Sequence, residues 1–249
     1  MSMEKGEGTP KGRDDPFWSS VASFGLDEVF VLPGWLEEQR GDDGRLQRRA
    51  PARSVAEELE ALVERVGDCR SCRLCQERNS IVFGDGNPDA GVLLVGEGPG
   101  ANEDIQGKPF VGKAGHLLDK ILASIELDRG SVYITNIVKC RPPGNRTPSR
   151  DEVAACWWIL EEQIEIMRPG VIVALGAPAS RTMTGSTDGI GKLRGSIHRY
   201  GDIPVVPTYH PAALLRTKAL KRPVWEDMKK LRKLLEELGL PRERSSVDD

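Results

Sequence analysis

Four short apolar runs punctuate the chain: GVLLVG (91–96), VYITNIV (132–138), VIVALG (171–176) and IPVVPT (203–208). Each is too short for a buried helix, rich in β-branched residues and closed by glycine or polar positions, the pattern of a buried strand. Between the first three the period lengthens to that of a helix, over 113–126 and 150–167. Ser149 and Glu152 form a capping box at the start of the second. The same box, Ser54 with Glu57, precedes a stripe of Val55, Leu59, Leu62, Val63 and Val66, and a closing stripe carries Trp225, Met228, Leu231, Leu235 and Leu238. Strands alternating with helices predict a three-layer α/β/α domain around a central, mostly parallel four-stranded sheet, the closing helix packed upon it.

Residues 1–53 break this order. They mix Gly, Pro and charge around two apolar-aromatic islands, Phe17-Trp18 and VFVLPGWL (29–36), and read as an extension of low order, with a partner-docking motif as the alternative. The expected organisation is therefore extension 1–53, folded domain 54–240 and tail 241–249. Charge follows the same division. Residues 1–68 carry 9 Lys+Arg against 15 Asp+Glu, a balance of −6, and residues 69–249 carry 26 against 23, a balance of +3. No apolar run is long enough to span a bilayer, and the polar N-terminus lacks the layout of a signal peptide, so a cytoplasmic, membrane-free protein is expected.

The segments that follow the strands carry the chemistry. GEGPGANED follows the first, Asn136 and Lys139-Cys140 close the second, GAPAS follows the third and Tyr209-His210-Pro211 follows the fourth. In a parallel sheet the ligand crevice lies outside the carboxyl ends of the strands, so these segments share one rim. Gly96, Gly98 and Ala101 fit the dinucleotide fingerprint G-x-G-x-x-[GA]. That fingerprint needs a helix beginning in the glycine turn and an acid at the end of the next strand. Pro99, Gly107, Pro109 and Gly112 predict irregular chain up to Lys113, and Asp119 falls inside a helical pattern, so the cofactor reading is set aside. What the loop offers instead is close backbone approach, with Glu97, Glu103 and Asp104 beside Phe110.

Five cysteines in a chain of this kind favour metal ligation over a disulfide framework. Cys69, Cys72 and Cys75 precede the first strand, and Cys140 and Cys156 lie far downstream. A four-thiolate site using two upstream and two downstream cysteines is the better reading, for zinc or for an iron–sulfur cluster. Cys156 also falls on the apolar stripe of Val153, Trp157, Leu160, Ile164 and Met167, where a plain core cysteine is the competing reading.

GEGPGANEDIQGKPFVGKAGHLL, YITNIVKCRPPGNRTP and PTYHPAALLR, in that order behind C-x2-C-R-L, resemble the family-4 uracil-DNA glycosylases, the iron–sulfur branch of their superfamily. The resemblance spans roughly Cys69 to Leu235. It implies a [4Fe-4S] cluster on Cys69, Cys72, Cys140 and Cys156, leaving Cys75 spare. It further implies that Phe110 stacks on extruded uracil, that Asn136 reads its Watson–Crick edge and that His210 bonds its O2. Glu97, Gly98 and Glu103 match positions of the first motif, and Leu214 and Arg216 fall where the DNA-intercalating loop lies.

Those residue types suit the chemistry. A base must leave the stack before its glycosidic bond can be reached, and an aromatic face with a two-edged amide holds a flipped base. An asparagine can donate to uracil O4 and accept from N3–H, polarities that cytosine reverses. Negative charge develops on the departing uracil, and an imidazole donor at O2 stabilises it as an oxyanion hole would. Gly98 stands where other branches of the superfamily carry an aspartate, so Glu97, directly after the strand, is the expected water-orienting carboxylate, with Glu103 as loop support or its substitute. Leu214 and Leu215 beside Arg216 suit an apolar wedge, a short amphipathic helix start explaining the leucines equally well, and Lys139, Arg141, Arg146 and Arg150 suit a phosphate-facing loop, with a solvated surface run as the alternative. The expected protein is a monomeric DNA repair hydrolase acting on uracil in single and double strands; a non-enzymatic thiolate-metal protein binding nucleic acid is the rival reading, and an iron–sulfur electron carrier a more distant one.

Overall fold

The structure, a computed structural model, describes residues 53–240. The two N-terminal islands and the tail from 241 lie outside the described residues.

Four strands form the parallel centre: β2 (Val92–Gly96) between β3 (Tyr133–Asn136) and β4 (Val171–Leu175), with β6 (Ile203–Thr208) beyond β4. Among the described residues the sheet has six strands rather than the four expected, β1 (Asp85–Gly86) and β5 (His198–Tyr200) being added, in the order β1-β3-β2-β4-β6-β5. Both additions are antiparallel edges, β1 on β3 and β5 on β6. Both edges are too short, and β5 too polar, for an alternating pattern to register in the sequence. The central strands are buried throughout along β2, β3 and β4, as expected of parallel strands covered on both faces.

Helices cover the two faces. Leu94, Ile134, Val173 and Val206 pack with α3 (Lys113–Ala123), α7 (Pro211–Arg216) and α8 (Lys221–Glu237). Leu93, Val95, Tyr133, Ile172 and Val205 pack with α1 (Val55–Val66), α4 (Arg150–Met167) and α5 (Ala177–Thr184). Both capping boxes form, Ser54 with Glu57 on α1 and Ser149 with Glu152 on α4. The closing helix packs on a stripe rotated from the expected one: Val224, Met228, Leu231, Leu234 and Leu235 are buried, whereas Trp225 and Leu238 are exposed. Val63 on α1 is likewise exposed. In each case a neighbouring position faces the sheet more squarely.

The glycine turn after β2 also differs from expectation. A helix, α2 (Ala101–Gln106), begins at Gly100 inside that turn, so the irregular chain expected up to Lys113 is interrupted. The second objection to a dinucleotide site stands, because Asp119 lies within α3 and not at a strand end.

Candidate active site

Parallel pairing brings the ends of β2, β3, β4 and β6 to one rim, with Gly96 opposite Asn136 and Leu175 opposite Thr208. The β2–β3 ladder runs past the strands, Ile137 N–H donating to Gly96 O (3.0 Å) and Val138 N–H to Glu97 O (3.3 Å). At the crowded centre stands Gly96. A Cβ there would lie 2.3 Å from Asn136 Oδ1 and 2.8 Å from the Phe110 ring, so only glycine lets amide and aromatic ring share the floor. Phe110 in turn stacks on His210, centroids 5.4 Å apart and planes 29° from parallel. The three residues expected to hold a base therefore meet around one point.

Their electrostatics are specific. Asn136 Oδ1 is buried and has no hydrogen-bond partner, a state that costs about 1–3 kcal/mol until a donor arrives. His210 Nδ1 accepts the Ala212 N–H at 3.1 Å, so a neutral ring carries its proton on Nε2 and presents a donor. Desolvation, aided by Arg216 and opposed by Glu103, pushes the imidazole down to about 4 and keeps it neutral near pH 7.

The two candidate carboxylates differ in their hydrogen bonding. Glu103 Oε1 accepts from Val111 N (2.9 Å) and Gly112 N (2.8 Å), which ties the loop before α3 to α2. The half-buried Glu97 has no side-chain partner among the described residues. Asp104, the third acid of the loop, is fully buried and accepts from Asn79 N, Asn79 Nδ2 and Ser80 N. It is a structural brace that the sequence displayed as one more exposed acid. Gly98 packs against Val138, where a Cβ would come within 2.8 Å of Cγ2.

The residues expected to meet nucleic acid differ in exposure. Leu214 is buried in the core, and the half-exposed side chain beside Arg216 is Leu215. Consecutive positions on α7 lie about 100° apart around the helix, so one leucine faces the core and the other solvent. Lys139 belongs to no phosphate cluster: it is fully buried, its Nζ donating to Thr135 Oγ1 (2.6 Å), Asn136 O (2.9 Å) and Gln163 Oε1 (2.6 Å). Burial pushes its ammonium down to about 7. Arg146 gives both terminal nitrogens to Glu152 (2.8 and 2.7 Å), a buried carboxylate held far below its usual range by that pairing. Arg141 donates to Asn145 Oδ1 in the same loop, and Arg150 and Arg216 are exposed.

Cys69, Cys72, Cys140 and Cys156 line one small pocket with Val66, Ile81, Ile159, Arg78 and Lys139, with a cavity volume of about 10 Å³. Cys75 is outside it. Among the described residues no three such side chains lie close enough together to hold a single metal ion. Two donors serve the sulfurs: Arg78 Nη1 to Cys140 Sγ (3.4 Å) and the Lys139 N–H to Cys156 Sγ (3.3 Å). Burial raises the Cys140 thiol to about 11, opposed by Arg78. An all-sulfur donor set with N–H donors aimed at it fits a thiophilic metal group. Arg78 was invisible in the sequence, where no spacing links it to Cys140.

Comparison with known proteins agrees with this arrangement. A model of the uracil DNA glycosylase superfamily matches residues 83–243. A protein named type-4 uracil-DNA glycosylase from Thermotoga maritima is 47% identical over 185 residues, covering 73% of this chain and 96% of its own length. Relatives of the same name from Sulfurisphaera tokodaii and Saccharolobus solfataricus are each 43% identical, over 76% and 71% of this chain and 89% and 86% of their own lengths. The chain belongs to the uracil DNA glycosylase superfamily, in its type-4 branch.

Proposed function

We propose that the protein hydrolyses the N-glycosidic bond of uracil in DNA and leaves an abasic site. The observation that carries this reading is the buried, unpaired Asn136 Oδ1 beside Phe110 and His210. It is an acceptor waiting for one donor, and uracil N3–H is that donor. Cytosine carries an acceptor at N3, which would leave two acceptors facing each other; sites of this type reject such a mismatch by about 10⁴-fold.

Phe110 supplies the face on which the flipped base stacks, with Gly98 in the wall beside it. His210 donates from Nε2 to uracil O2 and stabilises the charge that develops there as the C1′–N1 bond breaks. Glu97 orients the water that attacks C1′, and Glu103 holds the loop that carries Phe110. Leu215 fills the gap left by the extruded base, while Arg216 and Arg141 meet phosphates. Arg146, partly exposed and paired with a Glu152 that Arg73 shares, keeps net positive charge on that loop for a phosphate. The glycosylase domain spans 54–240, acts as a monomer in the cytoplasm on nucleoid DNA, and accepts uracil in single strands and duplexes; among the described residues no helix is long and apolar enough to cross a membrane.

Cys69, Cys72, Cys140 and Cys156 hold a [4Fe-4S] cluster. When bound it cross-links the segment before β1 to the loop after β3 and to α4, and hydrolysis requires no redox step from it. Cys156→Ser should cost iron content and thermal stability together. Cys75→Ser, outside the pocket, should change neither, as measured by iron analysis and a melting curve; iron loss in Cys75→Ser would overturn the ligand assignment.

The function is tested by incubating the protein with a uracil-containing oligonucleotide and with its cytosine counterpart, then cleaving abasic sites with alkali. Breakage confined to the uracil strand is expected. No breakage from an iron-replete preparation would sink the reading. Glu97→Gln should slow excision by about 10²-fold, the usual contribution of a positioned proton acceptor, with DNA affinity unchanged; a fully active variant would transfer the water to another group.

A further inference from the structure

Phe110 has φ +54°. For a bulky aromatic residue this left-handed conformation is a true outlier, and it persists only where the surroundings over-determine it. Two features do so. On one side α3 presses against the Phe110 carbonyl, so closely that a Cβ on Gly115 would lie 1.7 Å from that oxygen. On the other stands Arg129, in the turn before β3. Its Nη1 donates to Pro109 O (3.2 Å), its Nη2 donates to Phe110 O, and its Nε donates to Asp119 Oδ1 (2.8 Å). One planar guanidinium thus spans two consecutive carbonyls, a geometry that a lysine's single ammonium does not reproduce. Asp119, which failed as a ribose ligand, anchors that fork from α3.

We infer that Arg129, anchored by Asp119, is a positioning residue that locks the Phe110 backbone left-handed and thereby sets the plane on which the base stacks. The inference rests on the reading of Phe110 as the stacking residue. Released from the fork, the 109–110 backbone relaxes toward negative φ, and the ring swings away from Gly96 and His210. Neither Arg129 nor Asp119 touches the base; their effect passes through Phe110 alone.

The test is a double-mutant cycle read by single-turnover uracil excision and by inhibition with free uracil, using wild type, Arg129→Lys, Phe110→Ala and the pair. Arg129→Lys should slow excision about tenfold to a hundredfold, as misplacement of a positioning group does, and weaken inhibition by free uracil without altering DNA affinity. In the Phe110→Ala background the same change should alter the rate by less than about twofold, because its target is gone. Losses that multiply across the two backgrounds would overturn the clamp. So would a lowered melting temperature with the excision rate of the folded protein intact. If Arg129→Lys fails to fold, Asp119→Asn, which weakens the anchor and keeps the fork, should show the same dependence on Phe110 with a smaller loss. The parent reading fails by a different sign: a wild-type protein that releases no uracil, or Phe110→Ala as fast as wild type, removes the stacking role and the clamp with it.

Discussion

Asn136→Ala should lower the single-turnover rate of uracil excision by about 10³-fold or more, while the melting temperature stays the same or rises. The two halves of that expectation share one cause. In the free protein Asn136 Oδ1 is buried without a partner, so the side chain costs stability rather than supplying it. On the proposed reading uracil N3–H supplies that atom's donor, and a preference for uracil over cytosine is expected from the pairing. Removing the amide relieves the free enzyme and deprives the complex, the exchange of stability for activity expected where a site is built for a ligand. Rate and melting temperature falling together would mean that Asn136 is an ordinary core residue.

His210→Asn should cost about 10²- to 10³-fold in rate, the usual loss when one oxyanion donor is removed. Asparagine keeps a side-chain acceptor near the Ala212 N–H but is too short to reach the base. The pH behaviour distinguishes this role from that of a proton donor in its charged form. His210 is held down to about 4 by desolvation and Arg216, so the wild-type rate should show no limb near the ordinary histidine value of about 6.5. Folding carries a matching signature. Between about 6.5 and about 4 the unfolded chain binds a proton at this position that the folded one does not, so its contribution to stability is complete above that window and lost as pH falls through it. In urea melts wild type should therefore lose stability relative to His210→Asn as pH drops from 7 to 4. A rate limb near 6.5 that disappears in His210→Asn would contradict the neutral-donor role.

The site was legible in part, and where legibility failed is instructive. Phe110, Asn136 and His210 follow strand ends or motifs that the sequence displays, and the rule that parallel strands share one carboxyl rim placed them near one another before any coordinates. Lys139 was misjudged because it sits among arginines in the chain while its side chain turns inward to Thr135 and Gln163. Composition reports neighbours in sequence, and burial depends on neighbours in space. The pairing of Arg146 with Glu152, which Arg73 from far upstream shares, was hidden for the same reason.

What the sequence determined by itself is the parallel centre of the sheet, the longer helices α1, α3, α4 and α8 with the two capping boxes, and the candidate residues. Those rest on local pattern: β-branched runs, a 3.6-residue period and Ser-x-x-Glu boxes are written into consecutive positions. The tertiary structure decided everything that requires two distant segments to meet. It put four of the five cysteines around one pocket, tied Glu103 to the loop before α3 and left the Glu97 side chain without a hydrogen-bond partner among the described residues, buried Leu214 and exposed Leu215, and set Arg129 against the strained backbone of Phe110. A periodic pattern gives each element one inward face on average, whereas a hydrogen bond or a thiolate ligand depends on the position of single atoms, which only the packed chain fixes.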